Sequence, residues 1–215
     1  MAKVVVLDVD GTLMDTNYLH VEAWARAFEE VGQRVPRAEI HKQIGKGSDQ
    51  LVGEFVEDEE TAEKVEELHG ELYMEMQKHG FPLPGAKELI ASLAERGYEV
   101  WLVTSAEPEE LEQYLDRLET EGKLAGIVKS SDVESSKPAP DVFELALKEA
   151  GGDADETISV GDSVWDIESA AKAGIQTVAV LSGWAYSEEE LEEAGAVAVY
   201  NNCAELLDSG FPEDF

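Results

Sequence analysis

Val4-Val5-Val6-Leu7-Asp8-Val9-Asp10-Gly11-Thr12 joins an unbroken apolar run to two aspartates two residues apart, and its reading decides the fold. Such a run suits a strand buried on both faces of a parallel sheet, and the ligands of these sheets sit beyond the strands' carboxyl ends. Side chains alternate along a strand, so Asp8 and Asp10 project to one side if the extension continues through Val9. Two carboxylates held together repel unless a cation or a shared proton relieves them, and Gly11 lets the chain turn at once. Asp-Gly alone marks an ordinary turn. Following a buried strand and paired with Asp8, it points to a metal ion.

The same grammar recurs downstream. Val100-Trp101-Leu102-Val103 precedes Thr104-Ser105, Ser135-Ser136-Lys137-Pro138 opens a helix, and Thr157-Ile158-Ser159-Val160 runs into Gly161-Asp162-Ser163-Val164-Trp165-Asp166. Strands are predicted near residues 3–8, 99–103, 126–129, 157–160, 176–181 and 196–200. Between them, Leu89, Ile90 and Leu93 keep helical spacing, as do Val142, Phe143, Ala146 and Ala150, with Pro140 suited to a first helical turn. This alternation predicts an α/β fold of right-handed βα units around a parallel sheet.

Residues 15–83 contain no convincing strand. Trp24, Ala27, Phe28 and Val31 share one helical face with Gly32 closing the helix, and Val65, Leu68, Leu72 and Met76 form a second stripe, both read as packing surfaces. A connection of this length is a unit of its own, with Phe81-Pro82-Leu83-Pro84-Gly85 as its return linker. The expected organisation is a core of residues 1–14 and 84–215 and a helical domain of residues 15–83.

The 215 residues carry 48 acidic against 16 basic side chains, a formal charge of -32, with 43% hydrophobic content for a packed core. Nucleic acid and anionic membranes are excluded as partners by this balance, because phosphate binding needs clustered Lys and Arg. Acidic runs such as Glu57-Asp58-Glu59-Glu60, Glu66-Glu67 and Glu188-Glu189-Glu190 read as solvated helix faces without chemistry. Their mutual repulsion is screened within about 3 Å at 1 M salt, which suggests a salt-accumulating, halophilic cytoplasm. No apolar stretch is long enough for a membrane span or a signal segment, and the lone Cys203 excludes an intrachain disulfide, so a reducing cytoplasmic location is expected.

The DxDGT box at Asp8, the hydroxyl after the second strand, Lys137 and the GDxxxD box at Asp162 stand in the order of the haloacid dehalogenase superfamily, which the chain resembles over residues 3–14 and 84–185. The helical insert resembles, more loosely, the cap that one subclass carries after its first strand. The resemblance implies a Rossmann-like three-layer sandwich with an inserted α-helical cap domain. It also implies the backbone carbonyl of Asp10 as a third metal ligand and Asp166 as a ligand or a partner of one.

Phosphomonoester hydrolysis needs a nucleophile, charge neutralisation and a proton for the departing alkoxide. Asp8 is the expected nucleophile and Asp10 the acid and then base, with a raised pKa for the first role. Asp8 and Asp162 are the expected carboxylate ligands of Mg²⁺, a hard cation that takes oxygen donors. Thr104 Oγ and the Ser105 backbone N–H are expected on a phosphoryl oxygen, and Lys137 offsets both phosphorane and carboxylates. Lys46, in Gly45-Lys46-Gly47-Ser48, and His20, beside Trp24, are candidate substrate contacts. The preferred reading is a phosphatase for a small phosphorylated metabolite of the phosphoglycolate or sugar phosphate type. A phosphomutase like β-phosphoglucomutase is the first rival, disfavoured because residues 42–52 lack the arginine that would grip a second phosphate. A dehalogenase is disfavoured by Asp10, and a noncatalytic binding protein would show no metal-dependent turnover. The oligomeric state is left open.

Overall fold

The computed structural model describes residues 3–106, 108–213 and 215. Six strands, β1 Val4–Asp8, β2 Glu99–Thr104, β3 Gly126–Lys129, β4 Thr157–Gly161, β5 Gln176–Val180 and β6 Ala198–Tyr200, form one sheet in the order β3-β2-β1-β4-β5-β6. Every pairing is parallel. The strands lie where the apolar runs predict them, to within two residues at each end.

The three layers follow from alternation along the strands. Val5, Leu7, Val100 and Leu102 face one side, where they join Leu89 and Leu93 of α5 (Ala86–Glu95), Tyr114 of α6 (Pro108–Arg117) and Leu206 of α10 (Cys203–Asp208). Val4, Val6, Trp101 and Val103 face the other, against Val142, Phe143 and Ala146 of α7 (Asp141–Ala150) and Ala170 of α8 (Val164–Lys172). A ninth helix, α9 (Glu188–Ala194), packs Leu191 on Ile167 and Ala179. Each fully buried Val or Leu contributes about 1.5–3 kcal/mol, so the register of β1 is fixed by its apolar neighbours and carries Asp8 into place with it.

The insert is helical throughout its regular elements: α1 (Asn17–Glu30), α2 (Arg37–His41), α3 (Ser48–Gly53) and α4 (Glu59–Met76). Trp24, Ala27 and Phe28 pack with Ile40, Leu51, Val52 and Val65 in a cluster separate from the sheet's own. The α4 stripe is divided: Val65 and Leu68 belong to this cluster, Met76 packs against the sheet's, and Leu72 touches both. The short α2 and α3 have no counterpart in the periodicity, since five and six residues are too few to display it. The helix after Lys137 begins at Asp141, with Pro140 at its N-cap rather than in its first turn. No helix among the described residues is long and apolar enough to cross a membrane.

Candidate active site

β1 is the fourth-ranked strand from one edge and third from the other, so its end meets the loops after β2 and β4, its direct neighbours. Asp8 closes the strand with its side chain on the α7 and α8 side. There Lys137 Nζ sits 2.6 Å from Asp8 Oδ1 and 2.7 Å from Asp166 Oδ1, with all three side chains buried. Ser163 caps α8 and donates through Oγ to Asp166 Oδ2 at 2.5 Å, so both oxygens of Asp166 are engaged within the protein. Asp162 lies one residue outside the helix. Its Oδ2 accepts from Asn17 Nδ2 at 3.0 Å, and Thr12 Oγ1 stands 3.3 Å from its Oδ1 and 3.0 Å from Asp8 Oδ2. One hydroxyl proton serves only one of those two carboxylates at a time.

Oxygens of Asp8, Asp162 and Asp166 lie within 4.8 Å of one another, and Lys137 is the only ammonium bonded to any of them among the described residues. Burial, then Asp166, pushes Asp8 up to about 7 against the pull of Lys137. Asp162 is raised well above the carboxylate range by burial, then by Asp8 and Asp166. For Lys137 burial acts downward, and Asp166 and Asp8 overcome it to hold the ammonium charged. Three buried carboxylates around one ammonium leave negative charge that a divalent cation would neutralise, and an all-oxygen donor set suits a hard ion. The side-chain oxygen of Asn17, on the residue that orients Asp162, is buried without a hydrogen-bond partner.

Two glycines make this convergence possible. Gly11 takes φ +78, and a Cβ on Gly183 would overlap Asp162 Oδ2. The second close approach is what lets Gly183 O accept from Asn17 Nδ2 at 3.3 Å and meet His41 Nε2 of the insert at 3.0 Å.

Asp10 does not join the Asp8 cluster. β1 ends at Asp8, and Asp10 belongs to a second group with His20 and Glu110. Its Oδ1 accepts from Thr16 Oγ1 at 2.6 Å and lies 3.3 Å from His20 Nε2, which is also 3.4 Å from Glu110. The expectation of a raised Asp10 pKa is overturned here. Burial does act upward, but the His20 hydrogen bond and charge, with Thr16, bring Asp10 below the usual value. For His20, burial acts downward and the bonds to Asp10 and Glu110 carry it up to about 9. His69, whose Nε2 is 3.2 Å from His20 Nδ1, is held well below the usual range by burial and then by the His20 charge. A charged imidazole therefore donates from both nitrogens: to carboxylate on one side and to a neutral imidazole on the other. His20 stacks on Tyr73 at 3.8 Å between ring centroids, and His69 on Trp24 at 3.6 Å.

A cavity of about 360 Å³ opens from Asp8 and Asp10 into the insert. Ser105 and Ala106 lie on its wall and Thr104 does not; Thr104 Oγ1 instead accepts from the Ala106 N–H at 3.0 Å. The Ser105 hydroxyl, on the wall, likewise accepts a bond, from Ser130 Oγ at 3.2 Å. Lys46 lines the cavity, but its Nζ is 2.7 Å from Glu54 and 4.1 Å from the Trp165 ring centroid, so its charge is already committed. Glu66, read from sequence as part of a solvated run, is on the cavity wall, as are His69 and Glu110, which sequence reasoning did not single out. No local signal distinguishes those acids from their helix neighbours.

The insert is held over this end of the sheet by bonds from several elements. Trp165 Nε1 donates to Lys42 O at 3.0 Å, and the Tyr186 hydroxyl donates to the same oxygen. Ser136 Oγ donates to Asp49 Oδ1 at 2.6 Å. Cys203 is buried in the sheet's core with its thiol donating to Thr12 O at 3.4 Å, and burial raises that thiol to about 12, which makes it inert.

Comparison with known proteins agrees with this geometry. A protein-family profile described as haloacid dehalogenase-like hydrolase matches residues 5–180. The N-acetylmuramic acid 6-phosphate phosphatase of Pseudomonas aeruginosa is 28% identical, with 96% of this chain and 93% of that protein covered. The phosphoglycolate phosphatase of Rhodospirillum rubrum is 26% identical, with 99% and 93% covered. A crystal structure of a hydrolase from Pseudomonas syringae superposes with a TM-score of 0.90 at 32% identity, covering 96% of this chain and 97% of that one. With the profile spanning most of its length and the four motif segments converging at one sheet end, the chain belongs to the haloacid dehalogenase-like hydrolase family.

Proposed function

We propose that this protein is a Mg²⁺-dependent phosphatase of small phosphomonoesters, working through an aspartyl-phosphate on Asp8. The observation that carries the reading is the pair of buried groups at the end of β1: a carboxylate cluster around Lys137 and, beside it, a carboxylate in contact with a charged histidine. Asp8 and Asp162 would hold the ion with the backbone carbonyl of Asp10, while Asp166 steadies Lys137 from behind. Bound there, Mg²⁺ would neutralise phosphoryl oxygens and carboxylates together.

Asp8 attacks phosphorus and the bond to the leaving oxygen breaks. Lys137 and the Ser105 hydroxyl balance the charge that builds on the phosphoryl oxygens. The leaving oxygen needs a proton. His20, 3.3 Å from Asp10 and raised to about 9, is the reservoir that supports this role: Asp10 acts as acid once the arriving phosphate's charge draws that proton across. In the second half, Asp10 takes a proton from water, the water oxygen bonds to phosphorus, and the bond to Asp8 breaks to give inorganic phosphate. The helical insert of residues 15–83 serves as the cap that excludes bulk water. A small phosphorylated metabolite is the substrate, with neither nucleic acid nor membrane as partner. The acidic surface fits a salt-accumulating cytoplasm.

The test is phosphate release from a panel of phosphomonoesters with and without Mg²⁺, alongside Asp8→Asn. The expected result is Mg²⁺-dependent release that Asp8→Asn, still folded by circular dichroism, loses by several orders of magnitude. Equal release by the variant would overturn the nucleophile, and isomerisation of a hexose phosphate without phosphate release would favour the mutase.

A further inference from the structure

The part of the cavity beyond Asp10 must hold whatever the phosphoryl group leaves behind, and its charges are unevenly distributed. Glu66, Glu110 and Asp10 line it. The two cations in its wall are both occupied: His20 lies between Asp10 and Glu110, and Lys46 is bound to Glu54 and stacked on Trp165. None of the ion pairs among the described residues involves Glu66. Asp49, in the same region of the insert, adds a further carboxylate near Glu66. An anionic leaving group entering here would find no uncommitted cation and would face like charge, a penalty that steepens as water is displaced.

The other lining groups favour a different guest. Carboxylates and the hydroxyls of Ser48 and Ser105 accept hydrogen bonds, while Ile44, Leu51, Met74 and Ala106 supply apolar surface. The whole cavity of 360 Å³, phosphoryl end included, equals about twelve water molecules at the density of the liquid, more than a two-carbon acid and its phosphoryl group displace together. A hydroxyl-rich moiety with an apolar side satisfies the acceptors, covers the aliphatic wall and fills the space.

Resting on the phosphatase reading, we infer that the leaving-group pocket selects a sugar-sized, hydroxyl-bearing alcohol without negative charge and rejects carboxylates, with Glu66 as the rejecting group. Phosphoglycolate, for which several relatives are named, is then a poor substrate.

Two matched pairs isolate the charge: 2-hydroxyethyl phosphate against phosphoglycolate, and glucitol 6-phosphate against 6-phosphogluconate. Each is assayed with Mg²⁺ in the lowest KCl that keeps the protein folded. The uncharged member of each pair is expected to win in kcat/KM by about tenfold or more, the scale of one like-charge contact at the screening of a protein interior. The glucitol 6-phosphate rate should exceed that of 2-hydroxyethyl phosphate. In Glu66→Gln the ratio within each pair should narrow by a similar factor, an effect that a purely structural loss, acting on both members alike, does not produce. Equal or faster turnover of the carboxylates by the wild-type protein would overturn the inference and leave the phosphatase reading intact. Absence of phosphate release from all four would overturn that reading itself. An unchanged ratio in Glu66→Gln would remove Glu66 as the rejecting group.

Discussion

His20 Nε2 lies 3.3 Å from Asp10 Oδ1 and the same nitrogen lies 3.4 Å from Glu110, so a single imidazolium on α1 is shared between the carboxylate after β1 and one on α6. The insert thereby reaches the proposed acid and base.

Stability should follow the titration of this histidine. Its folded pKa, about 9, lies above the usual 6.5, so its contribution is fully present below about pH 6.5 and disappears as pH rises through 9. His20→Gln removes that dependence. Denaturant unfolding across pH 6.5 to 9 should show the wild-type protein losing up to about 3 kcal/mol relative to the variant. Parallel pH curves for the two proteins would contradict a charged His20.

Lys137→Ala should cost about 3–5 kcal/mol, since it leaves buried carboxylates without their ammonium. The loss is expected to be smaller at pH 5.5 than at pH 8, because Asp8, pushed up to about 7, takes up a proton as the pH falls. Thermal melts at the two pH values, each with and without Mg²⁺, measure this. A loss that is independent of pH would mean the carboxylates do not titrate together.

Gly183→Ala introduces a Cβ where Asp162 Oδ2 now sits. Asp162 must move, and a shift of about 1 Å in a reacting centre costs roughly 10²-fold in turnover. The Mg²⁺ concentration for half-maximal activity should rise as well. Gly53→Ala, whose added Cβ meets nothing within 4 Å, is the control and should match wild type.

A formal charge of -32 should make the fold salt-dependent. The melting temperature is expected to rise between low salt and molar KCl, where the screening length falls to about 3 Å. If unfolding at low salt were no easier than in molar KCl, the proposed salt-rich cytoplasm would lose its physical support.

The sheet was legible because Val4-Val5-Val6-Leu7 and its counterparts are buried on both faces, so every residue of each run reports the same environment. Asp8, Asp162 and Asp166 were legible for a related reason: they close β1, follow β4 and sit in the first turn of α8, where position is set locally, whereas Lys137, in the turn before α7, was marked only by the order of motifs in the family it resembles. The cavity's acids were not. Glu66 and Glu110 share their helices with exposed glutamates such as Glu63, Glu67 and Glu112, and only tertiary packing decides which of them looks inward. The direction of the Asp10 shift failed similarly, because the decisive partner, His20, comes from the insert's first helix. Lys46 was placed near the ligand, but Glu54 and Trp165 claim its charge.

Lys42 contributes its carbonyl oxygen, not its ammonium, to the two bonds from Trp165 and Tyr186 that hold the helical insert down. A main-chain acceptor survives almost any replacement of the residue that bears it. Replacing Lys42 therefore keeps both main-chain bonds and gives up only its ammonium's pairing with Glu190 and its contact with the Tyr186 ring, whereas a change at either aromatic donor breaks one of those bonds. The main-chain part of this clasp is inherited through two rings on the sheet side.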